Sequence, residues 1–337
     1  MTQLVLLAHS REAEYQRAIF AVLSFWAWHK GRATAAVQAV IFTDQPAYFE
    51  PYLDGLPVRY ELLTATCLAA MQQPHGYVHR VKAAILTQLT QAYPQDELLF
   101  IDSDTFFVAT PDLLLQQLAA GTTFLHKREY TLTEAVGVYA AFGQAHFPEK
   151  LLQVLARRRF AVAGAEVQFR PQQVSWNSGV LGLPAASAAL LPDVLRVLDE
   201  LYADTGWFTC EQIAFSLVLQ AKTTLRPCDE YIFHYWGKRQ KQLMDEHLST
   251  LISTSLSQLP LAERLAHVRQ LVPRWQRAIE LDRLREGALY AFGQGQLVAG
   301  LKYGVKAWFI APLNFRLAKG LWLSLRKKAP LSEKQLA

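Results

Sequence analysis

Cysteine is scarce in this sequence. Cys67, Cys210 and Cys228 are the only three in 337 residues, and they show no paired or metal-type spacing. An odd number so placed argues against a disulfide framework or a cysteine zinc site and suits a reducing compartment. No stretch reaches the ~18 uninterrupted apolar residues that a membrane-spanning helix needs. The start, Met1 to Ser10, lacks the basic opening of a signal peptide and reads as a strand entering a core, so the expected location is cytoplasmic. Internal repeats and low-complexity segments are absent. Charge is sparse, 19% of residues against 51% hydrophobic, which argues against disorder and implies a sizeable core.

The net charge of +5 belongs to one end of the chain. Residues 301–337 hold eight basic side chains against the single acid Glu333, which leaves residues 1–300 at −2. Within 301–328 the bases interleave with Tyr303, Trp308, Phe309, Phe315, Leu321 and Trp322. That composition suits a helix on an anionic membrane surface, or a C-terminal helix packing its aromatics on the body with a solvated basic face. A nucleic-acid partner is not expected, because the body is slightly acidic and carries no recognised binding motif.

Through the first hundred residues, short apolar runs alternate with helical patterns. Strands are expected at Gln3–Ala8, Val37–Phe42, Val58–Leu62 and Glu97–Ile101, and helices over 11–29 and 78–92. This alternation predicts an α/β fold with a largely parallel sheet flanked by helices. Ligands in such sheets sit beyond the carboxyl ends of the strands, here after Ala8, Phe42 and Ile101. The pattern loosens beyond residue 126. It resumes at Val174–Leu183 and in helices near 190–203 and 211–220, and is helical throughout from about residue 240.

Four segments carry chemistry. In Leu98-Leu99-Phe100-Ile101-Asp102-Ser103-Asp104, two carboxylates follow a buried strand at i and i+2, where they can converge on one hard divalent cation. A solvated strand-end turn is the alternative. In Ser175-Trp176-Asn177-Ser178-Gly179, the Asn177 amide suits sugar hydroxyls and Gly179 permits close backbone approach, or the segment is an ordinary Asx-type turn. Glu211-Gln212 opens a helix, where an acid is favourable whether or not it is functional. His234 leaves the strand Tyr231-Ile232-Phe233 beside Gly237 and the basic pair Lys238-Arg239, as a ligand or as a hydrogen-bonded core residue.

In this order the four segments resemble the GT-A glycosyltransferases, most closely glycosyltransferase family 8, the group of glycogenin and bacterial galactosyltransferases. The resemblance covers roughly residues 3–240, leaving 241–337 as a helical C-terminal region. It implies a GT-A type Rossmann-like mixed sheet and sugar transfer from a nucleotide-diphosphate donor to a glycan or lipid-linked acceptor. It further implies Asp102, Asp104 and His234 as ligands of Mn2+ or Mg2+, and an imidazole ligand favours the transition metal. Asn177 then resembles the donor-sugar contact, and Gln212 the residue beneath the anomeric carbon. Lys82 and Lys238 resemble cations near the donor, and Ala8, His9, Asp44 and Ser103 belong with the donor-binding residues. Segment 126–173 is the expected acceptor region.

Two departures from the family bear on mechanism. Position 240 is Gln where the family has lysine, so Lys238 or Lys241 must take that role. Glu211 replaces the family's aspartate and could be the base of an inverting enzyme, although the resemblance favours retention. The competing readings are a haloacid-dehalogenase-type phosphatase and a catalytically silent scaffold at the membrane. The first wants Thr or Val at position 106, where Phe stands, and its motif normally opens the domain.

Overall fold

The computed structural model describes residues 1–31, 36–253 and 255–311. Its first part runs β1 (Thr2–Leu7), α1 (Glu12–Trp28), β2 (Val37–Thr43), α2 (Pro46–Leu53), β3 (Val58–Leu62), α3 (Ala65–Met71), α4 (Arg80–Ala92), β4 (Glu97–Ile101) and β5 (Thr105–Phe107). The middle runs α5 (Asp112–Ala119), β6 (Thr123–Thr131), α6 (Leu132–Ala140), α7 (His146–Arg157), β7 (Phe160–Val162), β8 (Ala165–Val167), β9 (Val174–Leu183), α8 (Ala185–Ala188), α9 (Leu191–Thr205) and α10 (Cys210–Lys222). Then come β10 (Leu225–Pro227), β11 (Ile232–His234), α11 (Lys238–Ser253), α12 (Leu261–Gly293) and α13 (Leu297–Ile310).

Seven strands form one sheet in the order β10-β6-β9-β4-β1-β2-β3. The central strands are buried on both faces, with Leu4, Val5 and Leu6 and Leu98 to Ile101 fully inside, which explains their continuous apolar sequence. β3, β2, β1 and β4 are mutually parallel, whereas β9 runs antiparallel to both β4 and β6. The sheet is therefore mixed. An antiparallel strand starts where its neighbour ends, so the first half of β9 lies against the turn that follows β4. The Asp102 N–H donates to the Gly179 carbonyl at 2.8 Å.

A two-stranded ribbon completes the placement. β5 leaves directly from Asp104 and pairs antiparallel with β11, with His234 opposite Thr105. The Tyr235 N–H donates to the Asp104 carbonyl at 3.0 Å. Main-chain hydrogen bonds alone thus bring residues 102–104, 177–179 and 234 to one rim of the sheet.

Helix α1 is buried almost all round, because α11 and α12 cover the side that the sheet does not. Phe20 packs against Trp275 with ring centroids 4.6 Å apart. Arg17 makes a two-pronged pair with Asp245, at 2.7 Å from Nε and 2.6 Å from Nη2. Met244, Leu248, Val268, Val272 and Ile279 share one core with Leu4, Leu6 and Ile19. Helices α11 and α12 therefore wrap onto the first helix.

Helix α13 packs on α12 with Ala307 and Leu284 buried, while Leu301, Val305, Trp308 and Phe309 are exposed. The remainder of the basic aromatic segment, including Phe315, Leu321, Trp322 and Arg326 to Lys328, lies outside the described residues. Among the described residues no helix is long and apolar enough to cross a membrane.

Candidate active site

A cavity of about 1280 Å3 opens at the carboxyl ends of β1 and β4. Asp102, Asp104 and His234 meet in its wall, with one ligand-type atom of each within 4.8 Å of the others. His234 Nε2 stands 3.2 Å from Asp104 Oδ1 and 4.0 Å from Asp102 Oδ2. The other ring nitrogen, Nδ1, is 2.9 Å from Asn177 Oδ1. That oxygen also accepts the Gly179 N–H at 3.1 Å, while Asn177 Nδ2 donates to Glu129 Oε1 at 3.1 Å. A backbone donor on one side and a carboxylate on the other fix the amide's orientation. Asn177 Oδ1 therefore receives Nδ1–H, and Nε2 faces the two carboxylates, donating to Asp104 when it carries a proton and offering a lone pair when a cation stands between them. A metal-ligating histidine is commonly held in this way, by an acceptor on its other nitrogen. The donor set fits a divalent cation of transition-metal type.

Charge supports that fit. Burial opposes ionisation of both aspartates. At Asp104, His234 and Lys241 overcome burial and hold the carboxyl well below the usual carboxylate range; the Lys241 Nζ lies 2.6 Å from Oδ2. At Asp102, burial outweighs Lys82 and the like charge of Asp104 adds to it, so the pKa moves up. A cation between the two carboxylates would relieve this conflict.

Behind this group, His126 places its ring centroid 5.3 Å from that of His234. Its Nε2 is 3.0 Å from the Ile232 carbonyl and its Nδ1 has no partner. Burial, and then His234, push its pKa down from 6.5 to about 3. The unfolded chain takes up this proton below pH 6.5 and the folded chain does not until about pH 3. The stability tied to His126 is therefore intact above pH 6.5 and falls as the pH drops, by about 2 kcal/mol between pH 6.5 and 5. Denaturant melts of wild type and His126→Gln across that range check this, since the amide does not titrate. Equal pH slopes for the two proteins would disprove it.

Lys82, on the first turns of α4, ties the metal-type group to α10. Its Nζ lies 3.1 Å from Asp102 Oδ1 and 3.3 Å from Glu211 Oε1, the latter an ionic contact without hydrogen-bond geometry, and it donates to the Ser178 carbonyl at 3.1 Å. Burial works against its charge, but Asp102 and Glu211 outweigh burial and the pKa moves up. The second oxygen of Glu211 accepts from Ser178 Oγ at 3.0 Å. Gln212 donates through Nε2 to Glu129 Oε2 at 2.9 Å and to Ser175 Oγ at 2.8 Å.

The remaining expected residues divide. His9 and Ser103 line the cavity, and Ser103 Oγ donates to Glu14. Ala8 is buried and Asp44 stands behind the rim, accepting from the Ser10 N–H and, at 2.8 Å, from the Tyr15 hydroxyl; neither lines the cavity. Lys238 is exposed at the start of α11 and does not line it either. Lys241, three residues further on, does, because helical side chains lean towards the N-terminus and α11 starts at the rim, which brings its ammonium to Asp104.

Glu129 is the site residue least apparent from sequence. It joins Asn177 to Gln212 from β6, in a stretch without a strand signal. Irregularities in the β6–β9 register, between Leu125 and Lys127 and between Arg128 and Tyr130, re-aim this segment so that Lys127 to Tyr130 all face the cavity.

No protein-family model matches the chain, and no curated protein does. Solved structures similar to it include mouse xyloside xylosyltransferase 1 in its apo form, at 11% identity over 68% of this chain and 85% of that one, with a TM-score of 0.43. The galactosyltransferase LgtC with donor and acceptor sugar analogues is similar at 13% identity over 75% and 96%, with a TM-score of 0.48. The bifunctional glycosyltransferase WbbM, also in its apo form, is similar at 12% identity over 67% and 39%, with a TM-score of 0.40. All three are glycosyltransferases.

Proposed function

We propose that this protein is a metal-dependent glycosyltransferase that moves a sugar, of hexose type, from a nucleotide-diphosphate donor to a glycan or lipid-linked acceptor. The observation that carries the reading is the convergence of Asp102, Asp104 and the Nε2 of His234 at the strand ends, with Asn177 holding the imidazole in the ligating tautomer. These three residues would hold the ion, with Mn2+ favoured by the mixed nitrogen and oxygen set. What such an ion supplies when bound is positive charge for the diphosphate oxygens as the sugar departs. A cavity of about 1280 Å3 exceeds the roughly 300–1,000 Å3 of an ordinary ligand pocket, which supports simultaneous occupancy by donor and acceptor.

The other residues take supporting parts. Lys241 reaches the same carboxylate edge and offers a second cation to the phosphates, the part expected of Lys238 or Lys241. Lys82 stays charged and bridges Asp102 to Glu211. Glu211, clamped by Lys82 and Ser178, is poorly placed to collect a proton from an acceptor, which weighs against an inverting reaction with Glu211 as base. Gln212 commits its amide N–H groups to Glu129 and Ser175, leaving the amide oxygen as a lone pair at the cavity wall. That oxygen suits stabilisation of the sugar as its bond to the diphosphate breaks, as a retaining reaction requires.

Thermal melting against a panel of nucleotide-diphosphate sugars, with and without Mn2+, tests the reading. One donor is expected to stabilise the protein only when metal is present, by about 2.7 kcal/mol at a hundred times its dissociation constant. A folded protein that no donor stabilises in the presence of Mn2+ would refute the proposal.

A further inference from the structure

Among the described residues up to 240, nine large hydrophobic side chains are exposed, and five of them line the cavity just described: Val78, Val138, Phe142, Phe208 and Trp236. Trp236 is already engaged, 4.4 Å beneath the Lys127 ammonium and 5.1 Å from the His234 ring. Of the other four only Phe208 has a ring contact, with Tyr139, and Val78, Val138, Phe142 and Phe208 keep 60%, 41%, 71% and 53% of their surface open to water. They come from the loop before α4, from α6 and its end, and from the loop before α10, not from the strand ends that carry Asp102, Asp104 and His234.

These side chains are held where they are. Each of three stands next in sequence to a ring that is anchored. Tyr77, beside Val78, is buried and stacks on Tyr202 with centroids 4.1 Å apart, and its hydroxyl donates to the Phe208 carbonyl. Trp207, beside Phe208, is fully buried. Tyr139, beside Val138, lies 4.9 Å from the Trp207 ring and 6.3 Å from the Phe208 ring. Val138, on the last turn of α6, and Phe142, just beyond its end, both line the cavity. The result is a set of four exposed apolar side chains, an apolar collar, lining a cavity whose other walls carry Lys82, Asp102, Asp104, Lys127, Glu129 and Lys241. Apolar surface concentrated in this way marks a binding surface.

The chemistry of the collar limits its occupant. A nucleotide diphosphate is polar and anionic, and the collar offers it neither charge nor hydrogen bond. A sugar ring could stack on Phe142 or Phe208, but Val78 and Val138 offer it no flat face, so a sugar would leave half of the collar unused. An alkyl or aryl chain satisfies all four side chains, because the hydrophobic effect is non-directional. We propose that Val78, Val138, Phe142 and Phe208 seat the apolar aglycone of an amphiphilic acceptor, whose sugar end lies in the charged part of the cavity. This rests on the transfer reaction proposed above, in which the amphiphile is the acceptor.

Binding of matched methyl and octyl glycosides, each below its micelle concentration, tests the assignment by calorimetry on wild type and on the double variant Phe142→Ser/Phe208→Ser. Glucosides, galactosides and N-acetylglucosaminides serve as the pairs. The octyl member of at least one pair is expected to bind about tenfold or more tightly than its methyl counterpart, and the double variant to lose that advantage. Equal affinity of methyl and octyl forms in every pair, or an octyl advantage that survives in the variant, would overturn the collar. Both phenylalanines are exposed, so the variant is expected to melt with wild type, and a nucleotide-diphosphate titration reads the donor side separately. Absence of nucleotide binding in wild type would count against sugar transfer, while the alkyl preference would still decide what the collar holds.

Discussion

Asp104→Asn is expected to lower kcat for sugar transfer by about 10³-fold or more, equivalent to ~4 kcal/mol of lost transition-state stabilisation. Asparagine keeps the shape of the side chain and removes its charge, so the change isolates electrostatics from packing. Asp104 is buried, and His234 and Lys241 hold it ionised at 3.2 and 2.6 Å. It is therefore the carboxylate more firmly held in its charged form, whereas burial works against the ionised form of Asp102. The variant also leaves His234 and Lys241 without their shared anion, which is expected to cost about 1–3 kcal/mol of stability. The two effects separate in melting curves. Wild type gains stability from Mn2+ and donor together, and Asp104→Asn starts lower and gains nothing from either. Activity within tenfold of wild type, or a donor shift that still responds to Mn2+, would remove Asp104 from the metal-binding group.

The parts of this site that were legible in sequence are those created by local chemistry. Leu98 to Ile101 is continuously apolar because β4 is buried on both faces, and the two carboxylates beyond it stand out for that reason. Val174–Leu183 reads as a strand with its limits correct, yet its direction is carried by no residue. That direction is what sets Gly179 beside Asp102. β6 was illegible because its second half serves the cavity. Lys127, Arg128 and Glu129 interrupt any apolar pattern, so a strand nine residues long appears as loosened structure. Glu129 and Glu14 lie 48 and 89 residues from their partners Asn177 and Ser103, a separation that no local pattern spans. The choice between Lys238 and Lys241 depended on where α11 begins and which side of its first turn faces the rim, which a basic cluster does not reveal.

Gly179→Ala is expected to reduce activity by about 10²-fold or more through His234, although the glycine itself bears no functional group. A Cβ at this position would lie 2.1 Å from His234 Cε1 and 2.3 Å from Nδ1. The backbone has little freedom to yield, because the Gly179 N–H donates to Asn177 Oδ1 and its carbonyl accepts from Asp102 N–H. The imidazole must therefore move, and in moving it leaves both Asn177 and Asp104. Gly182→Ala, three residues along the same strand, is the matched comparison. Its Cβ would press at 3.0 Å on the Phe124 side chain in the core, so the expected cost is roughly 1–3 kcal/mol of stability with the metal-type group undisturbed. Both variants are thus expected to melt earlier, and the Mn2+ response divides them, Gly179→Ala losing it and Gly182→Ala keeping it. If Gly179→Ala retained a wild-type Mn2+ titration, the imidazole would not be a ligand, and the reason for a glycine at this position would be the packing of the ring alone.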